Sequence, residues 1–221
     1  MYPQMPGPGV DVHEPALGTT IMAVEFDGGV ILGADSRTST GSYVANRVSD
    51  KITSVADKVY VCRSGSAADT QAVADMMRYY LNMHSLEMGK QPEVPTAANI
   101  LNQVCYGNKN HLMAGMICAG WDERNGGVVY GIPLGGGLFR EAYTIGGSGS
   151  GFIYGYCDAN FRKGMSKQEA QEFVKNAVSL AMWRDGSSGG VIRMVTIDKD
   201  GVDRAMVAGD QLPHLAKGWC P

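Results

Sequence analysis

Two short apolar runs stand on either side of a glycine turn near the start of this chain. Thr19–Phe26 (TTIMAVEF) and Val30–Ala34 (VILGA) flank Asp27-Gly28-Gly29. Such a pair is a strong hairpin signal, because glycine supplies the positive φ that a tight turn needs. A second hairpin closes the chain, with Val191–Ile197 and Val202–Val207 around Lys199-Asp200-Gly201. The segments between them follow a definite order. Val59–Arg63 (VYVCR) reads as a strand ending at Ser64-Gly65. Ser66-Ala67-Ala68-Asp69 then reads as a capping box opening a helix to about Met88, since Asp69 can reach back to the cap amide. A second helix is predicted after Pro95-Thr96, with Ile100, Leu101, Val104 and Cys105 on its apolar side. His111–Ala119 and Gly127–Leu134 are strands joined at Asn125-Gly126-Gly127, and Leu138–Ile145 is a further strand. Gly146–Gly151 leads into a helix over Phe152–Phe161, and the capping box Ser166-Lys167-Gln168-Glu169 opens a helix through Trp183. Strands, two helices, strands, two helices, strands: this order predicts an α+β fold, a four-layer α-β-β-α sandwich.

The first 18 residues differ from the rest. They hold four of the nine prolines and neither Lys nor Arg. They lack the basic start and apolar core of a secretory signal, and no stretch of the chain is a membrane span. This segment reads as a flexible leader, with the folded domain over residues 19–221. Hydrophobic residues make up 44% of the chain and charged residues 19%, which excludes a disordered or fibrous chain. A net charge of −3 leaves no basic excess for a phosphate backbone, so nucleic acid is not an expected partner. Five cysteines without C-x-x-C and four scattered histidines argue against a zinc site or a disulfide framework, and for reduced thiols inside a cell.

Three motifs bear on chemistry. Gly186-Ser187-Ser188-Gly189-Gly190 matches G-x-S-x-G, the serine-hydrolase elbow. That elbow needs a strand before the serine and a helix after it, and here the order is reversed. A serine hydrolase using Ser188 with His214 as base is therefore a rival reading only. Gly146–Gly151 (GGSGSG) sits between a strand and a helix, but its register fails the dinucleotide fingerprint. It reads as a loop where backbones approach closely. Gly18-Thr19-Thr20 marks the junction of leader and first strand. Asp35 ends the second strand of the hairpin, beside the start of the first, so it should lie near Thr19. If Lys51 folds in as well, the three form a compact nucleophile site.

With these residues in view, the chain resembles catalytic beta subunits of the 20S proteasome, a family of N-terminal-nucleophile hydrolases. The resemblance covers Thr19 to about Pro213. It is carried by GTTIMAVEFDGGVILGADSRTSTGSYVANRVSDKI, RSGSAADTQAVADMM, GGSGSGFIYGYCDANF and RDGSSGGVIR. Arg63–Asp69 (RSGSAAD) is most similar to the caspase-like, beta-one type. The resemblance implies a threonine endopeptidase cutting after acidic residues. Thr19 would be the nucleophile, freed by cleavage of Gly18–Thr19, so that residues 1–18 are a propeptide. Asp35 and Lys51 would support it, Ser148, Asp185 and Ser188 would hold the amine, and Gly65 would donate to the oxyanion. Arg63, with Thr53 and Ala67, would line the pocket for the acidic side chain, and Thr38 and Ser39 would pair with the extended substrate. The family further implies no metal or organic cofactor, a place among alpha and beta subunits in stacked seven-membered rings, polypeptide substrates, no nucleic acid or membrane, and a cytoplasmic and nuclear location. The rival within the family is a non-catalytic structural subunit of the same ring.

Overall fold

The computed structural model describes residues 18–40 and 43–213. The proline-rich opening and the C-terminal segment, with His214 and Cys220, lie outside the described residues. The first hairpin forms as expected: β1 (Ile21–Phe26) and β2 (Gly29–Ala34) turn at Asp27-Gly28. A short ribbon follows, β3 (Thr38–Thr40) and β4 (Tyr43–Asn46). Next come β5 (Ile52–Ala56) and β6 (Val59–Gly65), then the helices α1 (Ala67–Met88) and α2 (Val94–Gly107). β7 (Ala114–Asp122), β8 (Gly126–Ile132), β9 (Phe139–Glu141) and β10 (Tyr143–Gly146) lead through a 3₁₀ turn, Ser148–Phe152, into α3 (Tyr154–Asn160) and α4 (Lys167–Arg184). The closing hairpin is β11 (Ile192–Asp198) with β12 (Gly201–Val207).

The strands form two five-stranded antiparallel sheets, in the orders β10-β1-β2-β11-β12 and β5-β6-β7-β8-β9. The α+β, four-layer reading is borne out. Ile21, Ala23, Val30, Leu32 and Val195 of the first sheet meet Ile52, Cys62, Ile117 and Val129 of the second in an apolar layer. α3 and α4 cover the outer face of the first sheet through Cys157, Phe173, Val174 and Val178. α1 and α2 cover the second through Val73, Met77, Leu81, Ala98 and Leu101. Each sheet is apolar on both faces, so both must be covered, and four layers do that. Each fully buried Leu, Ile or Phe contributes about 1.5–3 kcal/mol relative to exposure.

Three expectations need correction. Leu138–Ile145 is not one strand. β9 pairs with β8 and β10 with β1, so the chain changes sheets at Ala142. A continuous apolar pattern does not reveal this, because both sheets bury the same kind of side chain. β3, β4 and β5 are strands that the sequence does not announce: the first two are very short, and β5 (ITSVA) has no run of consecutive large apolar residues. The Ser66–Asp69 capping box forms by half. The Asp69 amide donates to Ser66 Oγ at 3.3 Å, but the Asp69 carboxylate accepts from the Met113 amide at 3.0 Å instead of returning to the cap. Tertiary structure takes that carboxylate because the Ser66 amide already donates to the Met113 carbonyl at 2.8 Å. The Ser166–Glu169 box is complete.

Candidate active site

Antiparallel pairing brings four chain segments to one end of the first sheet. β1 starts where β2 ends, where its other neighbour β10 ends, and where β11 starts beside β2. Thr19 and Thr20 precede β1 and Asp35 follows β2. Ser148 follows β10, and the Asp185–Val191 loop precedes β11. Lys51 comes from the other layer, just before β5, and reaches across.

Asp35 is fully buried and accepts four hydrogen bonds. Its Oδ1 takes the Thr20 amide at 2.9 Å and Lys51 Nζ at 2.7 Å, and its Oδ2 takes the Gly189 amide at 3.0 Å and the Arg37 amide at 3.2 Å. Lys51 is 8% exposed, so the ion pair is screened little by water. Its Nζ also donates to Thr19 Oγ1 at 3.0 Å and to the Gly18 carbonyl at 3.3 Å. Burial pulls the Lys51 pKa below the ordinary lysine value, and the Asp35 charge opposes that pull. Thr19 Oγ1 itself donates to the Gly18 carbonyl at 2.6 Å. The hydroxyl, the preceding carbonyl and a lysine ammonium are thus gathered at one point.

A second network lies on the other side of the Thr19 backbone. The Thr19 nitrogen donates to Ser148 Oγ at 3.1 Å, and Ser148 and Ser188 each donate to Asp185 Oδ2 at 2.7 Å. Asp185 Oδ1 accepts the Ser187 amide at 3.0 Å. Asp185 ends α4, where a negative charge opposes the helix dipole. Three hydrogen bonds offset that misfit. The glycine-rich loop explains itself here. A Cβ on Gly147, whose φ is 83°, would strike the Thr19 carbonyl, and one on Gly149 would overlap Thr20 Oγ1. The Gly149 amide donates to the Thr19 carbonyl at 3.1 Å. The loop is a close backbone approach, as its failed dinucleotide register suggested. Around Ser188 a helix precedes and a strand follows, which is the wrong order for a serine elbow.

A cavity of about 100 Å³ opens beside Thr19. Of the residues expected there, Thr38, Ser39, Arg63, Gly65 and Ala67 line it, as does Lys51, and Thr53 does not. Arg37, Ser49, Asp50 and Thr70 also line it and were missed. Arg63 is half-buried. Its guanidinium donates to the Asp50 backbone carbonyl at 2.9 Å, and its Nε is buried without a partner. The Asp50 carboxylate is engaged elsewhere, with Arg204 at 2.7 Å. Among the described residues Arg63 therefore has no ion-pair partner. Burial draws its pKa down, with Asp50 and Asp75 opposing. A larger groove of about 750 Å³ starts from Thr19, Gly65 and Ser148 and runs over Met113, Ile132, Leu134 and Phe139. Among the described residues, no group of three or more His, Cys, Asp or Glu side chains is placed to hold a metal ion, and no helix is long and apolar enough to cross a membrane.

Residues 16–197 match the family model described as Proteasome subunit. The chain is 59% identical over 202 residues to proteasome subunit beta type-6 of Dictyostelium discoideum, covering 91% of this chain and 94% of that one. It is 54% identical over 216 residues to proteasome subunit beta type-1 of Saccharomyces cerevisiae, covering 96% and 100%. It is 50% identical over 206 residues to proteasome subunit beta type-9 of Salmo salar, covering 93% and 94%.

Proposed function

This chain belongs to the proteasome subunit family, as a beta-type member that assembles with alpha and beta subunits in the 20S core, and we propose that it is a threonine endopeptidase of that core cutting after acidic residues. The observation that carries this reading is Thr19 Oγ1, 3.0 Å from a buried Lys51 that is paired to Asp35 at 2.7 Å. Residues 1–18 act as a propeptide. Thr19 Oγ1 attacks the Gly18 carbonyl carbon, the Gly18–Thr19 C–N bond breaks, and the nitrogen leaves with the proton as an amine. Water then hydrolyses the resulting ester and releases the leader with a Gly18 carboxylate. Until that step the Thr19 nitrogen is an amide and cannot accept a proton. Afterwards it is an α-amino group with a reference pKa of about 7.7–8, suited to general-base work near neutral pH.

In the mature chain the amine takes the Thr19 hydroxyl proton, directly or through water, and Oγ1 attacks the scissile carbonyl. Lys51 stabilises the developing alkoxide, and Asp35 orients Lys51 and keeps it charged. The Gly65 amide receives the oxyanion, a role typically worth about 2.7–4 kcal/mol. The amine returns the proton to the leaving nitrogen, and water hydrolyses the acyl ester. Ser148, Asp185 and Ser188 hold the amine. Arg63, desolvated and without a carboxylate, takes the acidic side chain before the cut, with Ala67 on the pocket wall. Thr53 belongs to this set only as an expectation, since it lies outside the lining. Thr38 and Ser39, at the start of β3, pair with the substrate backbone by strand addition. The core works in cytoplasm and nucleus.

Thr19→Ala and Ser188→Ala, each introduced into the assembled core, test the nucleophile. Thr19→Ala is expected to abolish cleavage after glutamate and to leave the leader attached through Gly18, whereas the wild type begins at Thr19, as intact mass would show. Activity surviving Thr19→Ala would overturn the reading, and loss only in Ser188→Ala would favour a serine hydrolase. Arg63→Leu is expected to shift cleavage from acidic toward apolar residues while Thr19 continues to remove its leader. An unchanged preference would remove Arg63 from its role.

A further inference from the structure

We propose that Thr20, the residue after the attacking threonine, is a positioning residue whose hydroxyl aligns the Thr19 amine through Ser188 and Asp185. This rests on the threonine-protease reading above.

The direction of each hydrogen bond follows from counting protons. A carboxylate only accepts. Ser188 and Ser148 own one hydroxyl proton each, and both reach Asp185 Oδ2 at 2.7 Å. Ser188 Oγ lies 2.8 Å from Thr20 Oγ1, and its proton is already committed, so Thr20 is the donor. By the same count Ser148 accepts from the Thr19 nitrogen at 3.1 Å. Asp185 is therefore reached from both residues of the Thr19-Thr20 pair, through one serine each. Thr20 is fully buried, so no solvent replaces its donation. Its backbone is pinned separately, with its amide on Asp35 at 2.9 Å. Gly149 leaves room for its hydroxyl, because a Cβ there would overlap Thr20 Oγ1.

Hydrogen bonds in such a chain polarise one another. The Thr20 proton draws charge from Asp185 through Ser188 and fixes the Ser188 hydroxyl, which leaves Ser148 set to hold the amine with its lone pair toward Thr19 Oγ1. Without that proton, Ser188 keeps a buried lone pair unmatched and Asp185 presents more negative charge to the amine. The charged groups around the amine are Asp185 on this side, Lys51 and Asp35 beyond the Thr19 side chain, and Arg37, which donates to the Gly186 carbonyl at 2.8 Å. Only the Asp185 branch changes in a Thr20 variant.

Thr20→Val, Thr20→Ser and Thr19→Ala in the assembled core, assayed with a fluorogenic peptide carrying glutamate before the cut, test the proposal. Thr20→Val should lower kcat by about tenfold with KM unchanged. It should also move the acid limb of kcat/KM to higher pH, because the amine holds its proton longer. Thr20→Ser, which keeps the hydroxyl, should restore both. Wild-type kcat and pH profile in Thr20→Val, or Thr20→Ser as impaired as Thr20→Val, overturn the proposal. If Thr20→Val does not enter the core, Thr20→Ala takes its place: a slow Ala variant beside a wild-type-like Ser variant supports the proposal, and any other pattern overturns it. Activity surviving Thr19→Ala overturns the parent reading and this one together. A dead Thr19→Ala beside an unaltered Thr20→Val overturns this one alone.

Discussion

In the proposed mechanism Lys51 carries two opposed demands at the scale of one residue. It must be buried to act on Thr19 Oγ1 at 3.0 Å, and burial favours the neutral amine that cannot stabilise an alkoxide. Asp35 resolves this. Its charge raises what burial lowers, and three backbone amides keep it in place. Asp35→Asn should therefore remove the strongest opposition to burial and leave only the weaker pull of Asp185, so that Lys51 loses its proton at lower pH. The alkaline limb of the peptidase rate is expected to move to lower pH, and kcat near neutrality to fall by about 10²-fold or more. A pH–rate profile of assembled Asp35→Asn core checks this, and an alkaline limb that stays in place would mean that Asp35 does not set the Lys51 charge. Asp35 was legible in the sequence because a hairpin puts the end of its second strand beside the start of its first. Lys51 was legible only through the family resemblance, since nothing local says that β5 stacks across from β1. The Arg37, Ser49, Asp50 and Thr70 walls of the cavity were not legible at all, as they meet only when separate elements pack.

Among the elements, α4 shows how the two ends of one helix can do separate work. Its N-terminus is closed by a complete capping box in which Ser166 and Glu169 serve each other's amides. Its C-terminus delivers Asp185 to the Thr19 network. Eighteen residues separate these ends by roughly 27 Å. Ser166→Ala should cost about 1 kcal/mol locally, read as roughly fivefold faster hydrogen exchange in the first turn of α4, with peptidase activity unchanged. A fall in kcat would show that the cap and Asp185 are coupled along the helix. The α1 cap makes the contrast. Its Asp69 serves the Met113 amide, because a neighbouring strand competes for a side chain that the local pattern assigns to the helix. Local signals hold where nothing else reaches the residue.

For the molecule as a whole, the layered packing also decides the state of its thiols. Cys62, Cys105, Cys118 and Cys157 are free and buried. Burial pushes Cys105 up to about 11 and Cys118 and Cys157 up to about 12, and Cys62 higher still. A thiol so raised holds almost no thiolate near neutral pH. Iodoacetamide at pH near 8 is expected to leave these four unmodified in the native core and to label all four after unfolding, with peptide mapping to separate them from Cys220. Fast native labelling of any of them would mean that its layer opens. The absence of C-x-x-C already argued for unpaired thiols, but their burial needed the stacked sheets.

The amino-acid sequence alone determined what is local: the two glycine hairpins, the complete Ser166–Glu169 cap of α4, and the two helix pairs between groups of strands. Each depends on residues within a few positions of one another, where backbone geometry and side-chain hydrogen bonding leave few options. Tertiary structure alone decided that Leu138–Ile145 splits between two sheets, that Lys51 meets Asp35 across layers, and that Thr20 and Ser188, 168 positions apart, are hydrogen-bonded. Those outcomes depend on which surfaces bury each other, and an apolar pattern states only that a face must be covered, not by what.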